Sequence, residues 1–180
     1  MMVTQAPARD FETLIEPWLD AGYNLARWLL RDDTAADDVL QEAAIKAFRF
    51  LGDLRADDAR AWFLGIVRNA CYTHLQRQRD HPERNGFDDE ALADLHWQAG
   101  LQAPDPAALL SQQHELNRVD QALQALPPDL REVIVLRELE GLPYTEIAQV
   151  AAIPVGTVMS RLSRARARLK ALLQAHQEAR

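Results

Sequence analysis

PYTEIAQVAAIPVGTVMSRLSRARARLKALL, residues 143–173, decides the reading of this chain. It begins as a short helix that Thr145 can cap and that packs Ile147, Ala148 and Ala151 inward. Ile153-Pro154 then turns the chain, because proline has no amide hydrogen to continue a helix. From Val155 onward Val158, Leu162, Ala165, Leu169 and Leu172 recur at steps of three and four and make one apolar stripe. Thr157, Arg161, Arg164 and Arg168 make a second stripe, roughly a quarter turn away at 3.6 residues per turn. Buried apolar surface therefore fixes the helix while a row of arginines is held outward. This is the layout of a helix-turn-helix, whose second helix enters the major groove with its N-terminal residues on base edges. Thr157, Ser160, Arg161 and Arg164 stand near that end, and arginine can donate two hydrogen bonds to guanine. Arg166, Arg168 and Lys170 are placed to hold phosphates.

The rest of the composition says that this cationic device is local. The net charge is −7 over 180 residues, which argues against a protein that coats nucleic acid indiscriminately. Residues 160–170 carry five cations and no acid, whereas residues 80–120 carry nine acids against two arginines. One cysteine, Cys71, leaves no internal disulfide and no cysteine-rich zinc site, and neither a metal nor a cofactor is expected. No apolar run is long enough to span a bilayer and the first residues lack the layout of a signal peptide, so the expectation is a cytoplasmic protein without membrane insertion.

Upstream of the opening stretch, Leu116, Val119, Leu123 and Leu126 mark a helix that Pro127-Pro128 stops. LREVIVLREL, residues 130–139, is apolar on most sides and reads as the most buried helix of this part, with Gly141 at a left-handed cap. Near the N-terminus, Phe11, Leu14, Ile15, Trp18, Leu25, Trp28 and Leu29 predict a long amphipathic helix bent near Gly22. Thr34 and Asp37 suggest a capping box for a helix over residues 37–51. That helix turns Val39, Leu40, Ala43, Ala47 and Phe48 inward and Asp38, Gln41, Glu42 and Lys46 outward. A loop at 52–58 leads into a helix over 59–79 with Trp62, Phe63, Ile66, Val67, Ala70 and Cys71 inward. Its other side mixes Arg68, Asn69, Tyr72, Gln76 and Arg79, residue types that can stack on unpaired bases and hold a backbone. Residues 81–108 read as an acidic, Pro- and Gly-containing linker with one short turn at 92–97. With no alternating apolar run anywhere, the fold class is all-α: two small helical domains, 9–80 and 109–175, joined by a flexible acidic linker at 81–108, the C-terminal one a helix-turn-helix.

Three segments carry a family resemblance. LPPDLREVIVLRELEGLPYTEIAQVAAIPVGTVMSRLSRARARL resembles the second conserved domain of bacterial extracytoplasmic-function sigma factors, and DDVLQEAAIKAF with WFLGIVRNACYTHLQR resembles their first. The resemblance implies a promoter-specificity subunit of RNA polymerase, with core polymerase, promoter DNA and an anti-sigma factor as partners. By motif position, Asp38, Gln41 and Glu42 would bind the clamp helices of the largest polymerase subunit, and the C-terminal domain its flap region. Leu64, Ile66 and Asn69, with Arg68 near the backbone, would hold a base flipped from the melted −10 strand, and the helix from Val155 would read the −35 duplex. The linker carboxylates would stand in for phosphates where the family's linker threads through polymerase. Where the family usually has glycine in the helix-turn-helix turn, this chain has Ala152; a positive φ there would cost it on the order of 1 kcal/mol.

Two other classes compete. A two-domain helix-turn-helix regulator binding operators without polymerase would share the C-terminal features. An enzyme would need Cys71 and His74, three residues apart, to act as nucleophile and base; no third partner or oxyanion donor is evident, so no catalysis is expected.

Overall fold

The computed structural model describes residues 6–54, 58–80 and 117–178, and every regular element among these residues is helical. The linker at 81–108, its turn at 92–97 and the start of order before residue 117 lie outside the described residues. The helices are α1 Ala6–Leu14, α2 Leu19–Leu30, α3 Asp33–Phe50, α4 Ala59–Asp80, α5 over 117–124, α6 Pro128–Ile134, α7 Tyr144–Ala151 and α8 Val155–Glu178.

The long first helix is broken at Glu16–Trp18, a single tight turn with Pro17 at its start, and not at Gly22. Gly22 instead marks a close helix crossing. A Cβ built there would lie 2.9 Å from Phe63 Cε1 and 3.0 Å from Leu40 Cδ1, so only glycine lets α2 sit this deep between α3 and α4. The start of α3 also differs from the expected capping box. Asp32 is the cap, accepting a 2.9 Å hydrogen bond from the Ala35 amide, because it precedes the helix in an extended conformation that Thr34, already helical, cannot adopt. Phe48, expected inside, is half exposed and meets Phe11 edge to face at 5.8 Å.

Helix α4 buries two faces. Phe63, Leu64, Val67 and Cys71 are buried in the core shared with α2 and α3. Ala61, Gly65, Arg68 and Tyr72 lie along a neighbouring stripe about 100° round the helix, on the side of α6 and α7. The two helical units therefore do not sit apart: one apolar core runs from Leu25 and Leu64 through Val133, Leu136, Ile147 and Val158.

In α6, Leu130 to Leu136 are all buried, as the apolar run predicts. The helix continues over Val135–Leu139 as a wider turn in which the Glu140 amide reaches the Val135 carbonyl at 3.1 Å. Arg131 lies inside this helix without a carboxylate. Its guanidinium donates to the carbonyls of Leu123 at 3.0 Å, Gln124 at 2.7 Å and Leu126 at 2.8 Å, at and just past the C-terminal end of α5 where a cation is favoured. Its remaining nitrogen donates to the Trp28 carbonyl of α2 at 2.8 Å, across the two units. Burial, with Arg31 nearby, lowers its pKa to about 10, which leaves it charged at neutral pH.

Gly141 has φ +67°, as its capping position predicts. Tyr144, not Thr145, begins α7, with Pro143 before it and no side-chain cap. Ala152 closes α7 with φ +53°, a left-handed conformation that its Cβ disfavours. Ala152→Gly is therefore expected to stabilise the protein by about 1 kcal/mol, read as a higher urea midpoint at constant slope.

Candidate nucleic-acid interface

The apolar stripe of α8 is seated as expected, with Val158, Leu162 and Ala165 buried and Leu169 and Leu172 packed beside them. Directly opposite lies an outer face of Gly156, Met159, Ser160, Ser163, Arg164 and Ala167. Apart from Met159 and Arg164 these are small residues, so nothing bulky keeps this face from a groove floor. Met159, absent from the sequence reading, is 55% exposed. Its position between Val158 and Ser160 at the helix start was the available signal.

The predicted cations do not all share that face. Arg164 and Arg168 are exposed on one flank, and the Arg164 Nε lies 3.4 Å from the Ser160 carbonyl. Arg166 and Lys170 point from the other flank, Arg166 pairing with Glu138 at 2.7 Å where both side chains are half exposed. That hydrogen bond is the main reason the Arg166 guanidinium holds its proton more tightly than usual. Ser160 donates to the Thr157 carbonyl at 3.0 Å.

Arg161 departs most from expectation. It turns back along α8 to α6, with Nη1 3.2 Å from Glu132 Oε1 and Nε 3.7 Å from Asp129 Oδ2. Its side chain is only 21% exposed. A guanidinium committed to a buried carboxylate is not free to span a guanine, so the outward placement predicted for Arg161 is corrected.

On α4, Leu64 is completely buried, so its predicted contact with a flipped base is corrected as well. Motif position in the family resemblance nominated it together with Asn69, but its side chain falls on the α2–α3 face. Ile66 and Asn69 reach the surface and, with Asp58, Trp62 and Gly65, line a shallow groove closed on one side by Gln149 of α7. Arg68 is not at that groove. It pairs bidentately with Glu132 at 2.8 and 3.2 Å, and Tyr72 donates to the same carboxylate at 3.0 Å. Burial pulls the Arg68 pKa down and the bonds to Glu132 more than reverse it. Burial and the Glu132 charge both push the Tyr72 hydroxyl up.

Glu132 thus joins three side chains from two units, and the sequence reading did not single it out. The signal was an acid within an otherwise apolar run, which must be paired if it is buried. Further contacts cross between the units. Arg60 of α4 makes a bidentate pair with Glu146 of α7 at 2.7 and 2.8 Å, and Asn24 of α2 donates to Glu140 at 3.1 Å.

Asp38, Gln41 and Glu42 are exposed on one face of α3, and Ile45, 55% exposed, extends it. Cys71 is fully buried and desolvation pushes its thiol up to about 12, so it is neutral near pH 7. His74 meets Gln78 at 3.0 Å. Alkylating reagent is expected to leave Cys71 unmodified in the native protein and to label it in denaturant, as intact mass would report. No cluster of metal-ligating side chains occurs among the described residues, and none of their helices is long and apolar enough to cross a membrane.

Comparison with known proteins identifies the class. Residues 14–81 match the family model of Sigma-70 region 2, and residues 116–169 match that of Sigma-70, region 4. The chain is 38% identical over 176 residues to the RNA polymerase sigma-H factor of Pseudomonas aeruginosa, covering 96% of this chain and 90% of that protein. It is 38% identical over 133 residues to the ECF RNA polymerase sigma-E factor of Escherichia coli K12, covering 72% and 69%. Among solved structures it is similar to the sigma factor RpoE in complex with the anti-sigma factor NepR from Bartonella quintana, with TM-score 0.74, 28% identity and coverage of 92% and 98%. It is also similar to CnrH in complex with the cytosolic domain of CnrY, with TM-score 0.63, 32% identity and coverage of 93% and 90%. The chain belongs to the RNA polymerase sigma factors, in their extracytoplasmic-function group. It directs promoter-specific transcription initiation, and the reading as an independent operator-binding regulator is not favoured.

Proposed function

We propose that α8 reads the −35 element through Ser160, Arg164 and Met159, while Arg168 and Lys170 hold phosphates and Arg161 fixes α8 to α6. The observation that carries this is the outer face of α8, small residues edged by exposed Arg164 and Arg168. Small residues let the helix backbone approach the bases, hydroxyl and guanidinium groups read their edges, and a methionine can pack on a thymine methyl group. In the same reading, residues 9–80 form the polymerase-binding and −10-reading domain and residues 109–175 the −35-reading domain. The groove at Ile66 and Asn69 takes the melted −10 strand, Trp62 offering a ring on which a base can stack. Asp38, Gln41 and Glu42, with Ile45 among them, dock on the clamp helices of the largest polymerase subunit, and the C-terminal domain meets its flap.

The setting is the cytoplasm, where polymerase works, and the bond-making chemistry remains the polymerase's. The solved relatives bound to NepR and to CnrY support an anti-sigma partner for this chain too. Sequencing run-off transcripts made by core polymerase plus this protein on genomic DNA tests the whole reading. Transcripts should start a fixed distance from two shared sequence elements, and random starts would overturn it.

Arg168→Ala is expected to weaken −35 binding alike across sequences and to lower the salt slope by about one unit. A wild-type slope in a fluorescence titration would remove Arg168 from the phosphate contacts.

A further inference from the structure

Among the described residues two side chains carry sulfur, Cys71 and Met159, and they differ completely in access. Cys71 is fully buried and its thiol is held neutral, so it offers an oxidant neither a path nor a thiolate. Met159 stands in the second turn of α8 and is 55% exposed. We propose that Met159 is a site of reversible oxidation by hydroperoxides, and that its sulfoxide switches off recognition of the −35 element. The inference rests on the proposed reading of that element by α8 and adds to it a chemical control.

The reaction balances without help from the protein. A lone pair of the Met159 sulfur attacks one oxygen of the peroxide, the S–O bond forms as the O–O bond breaks, and the sulfur gives up two electrons. With hydrogen peroxide the departing hydroxide takes the proton of the transferred oxygen and leaves as water. A thiol-dependent sulfoxide reductase reverses the change, two thiols becoming a disulfide while the oxygen leaves as water.

Placement decides the consequence. Met159 belongs to neither apolar core, and α8 is seated by Val158, Leu162 and Ala165 instead, so oxidation leaves the fold in place. Its neighbours Gly156, Ser160 and Ser163 are small, so a duplex reaching this face meets the Met159 side chain directly. The thioether is apolar and suits a thymine methyl group. The sulfoxide presents an oxygen that can only accept hydrogen bonds, toward a groove edge where thymine and guanine also present acceptors. Pressing that oxygen out of water against a methyl group costs free energy that no new bond returns. Arg168 and Lys170 keep their charges, so the grip on phosphates is untouched. Helix α3, with Asp38, Gln41 and Glu42, carries no sulfur, so an oxidised chain keeps its proposed polymerase-docking face.

Hydrogen peroxide applied to the full, folded chain tests the site. Peptide mass should show one added oxygen at Met159 and none at Cys71. The oxidised protein should lose about tenfold in affinity for a duplex carrying the −35 element found by run-off sequencing, at an unchanged salt slope, and methionine sulfoxide reductase should restore it. In Met159→Leu, which has no sulfur at this position, peroxide should leave the variant's own −35 affinity as it was. Replacing one thymine of the element by deoxyuridine should weaken binding of the unoxidised protein, and the oxidised protein should not distinguish the two bases. Met159 left unmodified, full −35 affinity after oxidation at Met159, or equal peroxide sensitivity of Met159→Leu would each overturn the switch. Unoxidised protein that fails to discriminate −35 variants would instead overturn the reading of that element by α8, so the two failures are distinguishable.

Discussion

Glu132→Gln should cost about 3 kcal/mol of folding stability, measured as a lowered urea midpoint. The carboxylate is fully buried, and its two oxygens accept from Arg68, Tyr72 and Arg161. The amide keeps one acceptor but turns an NH2 group toward a guanidinium and removes the charge that balances two cations. Arg166→Ala is the contrasting case, because its pair with Glu138 is half exposed and should contribute well under 1 kcal/mol. Equal losses in the two variants would show that Glu132 is not the centre of the network. A changed denaturant slope in Glu132→Gln would mean that the units have lost their common unfolding transition.

Arg164→Ala should lower discrimination of the −35 element by 1 to 3 kcal/mol, about 5- to 150-fold in relative affinity, if Arg164 spans a guanine edge. It should leave the salt slope nearly unchanged, in contrast to Arg168→Ala. Arg161→Ala, which the sequence alone would nominate for base reading, should instead lower stability and weaken all sequences together, because it frees α8 from Asp129 and Glu132. A competition titration against single-base variants separates the two. Lost discrimination in Arg161→Ala with intact discrimination in Arg164→Ala would reverse the assignment.

The helices were legible because their signals are local. Apolar spacing gave α4 over Ala59–Asp80 almost to the residue, and Pro127-Pro128 and Gly141 marked where α5 and α6 end. Cap chemistry was less legible. Asp32 and Thr34 both fit an N-cap by type, and the choice between them rests on which is extended and which helical. The break at Glu16–Trp18 was misplaced to Gly22 because a glycine in a helix signals either a bend or a close crossing, and only the neighbours Phe63 and Leu40 select the crossing. Arg161 was misassigned for a related reason: helical period says which residues share a stripe, and α8 has more than one side to which a stripe can turn. Leu64 was carried over by motif position, which says nothing of the face on which a side chain falls.

By itself the sequence determined the all-α class, the helix-turn-helix with its local cationic charge, and membership of the sigma factors, because helical period, turn residues and motif order are all properties of residues near one another along the chain. Only the tertiary structure decided how the two units meet. Whether Arg68 and Arg161 face DNA or Glu132 depends on contacts between residues 64 and 29 positions apart, respectively, and a buried carboxylate draws any guanidinium that geometry allows to reach it.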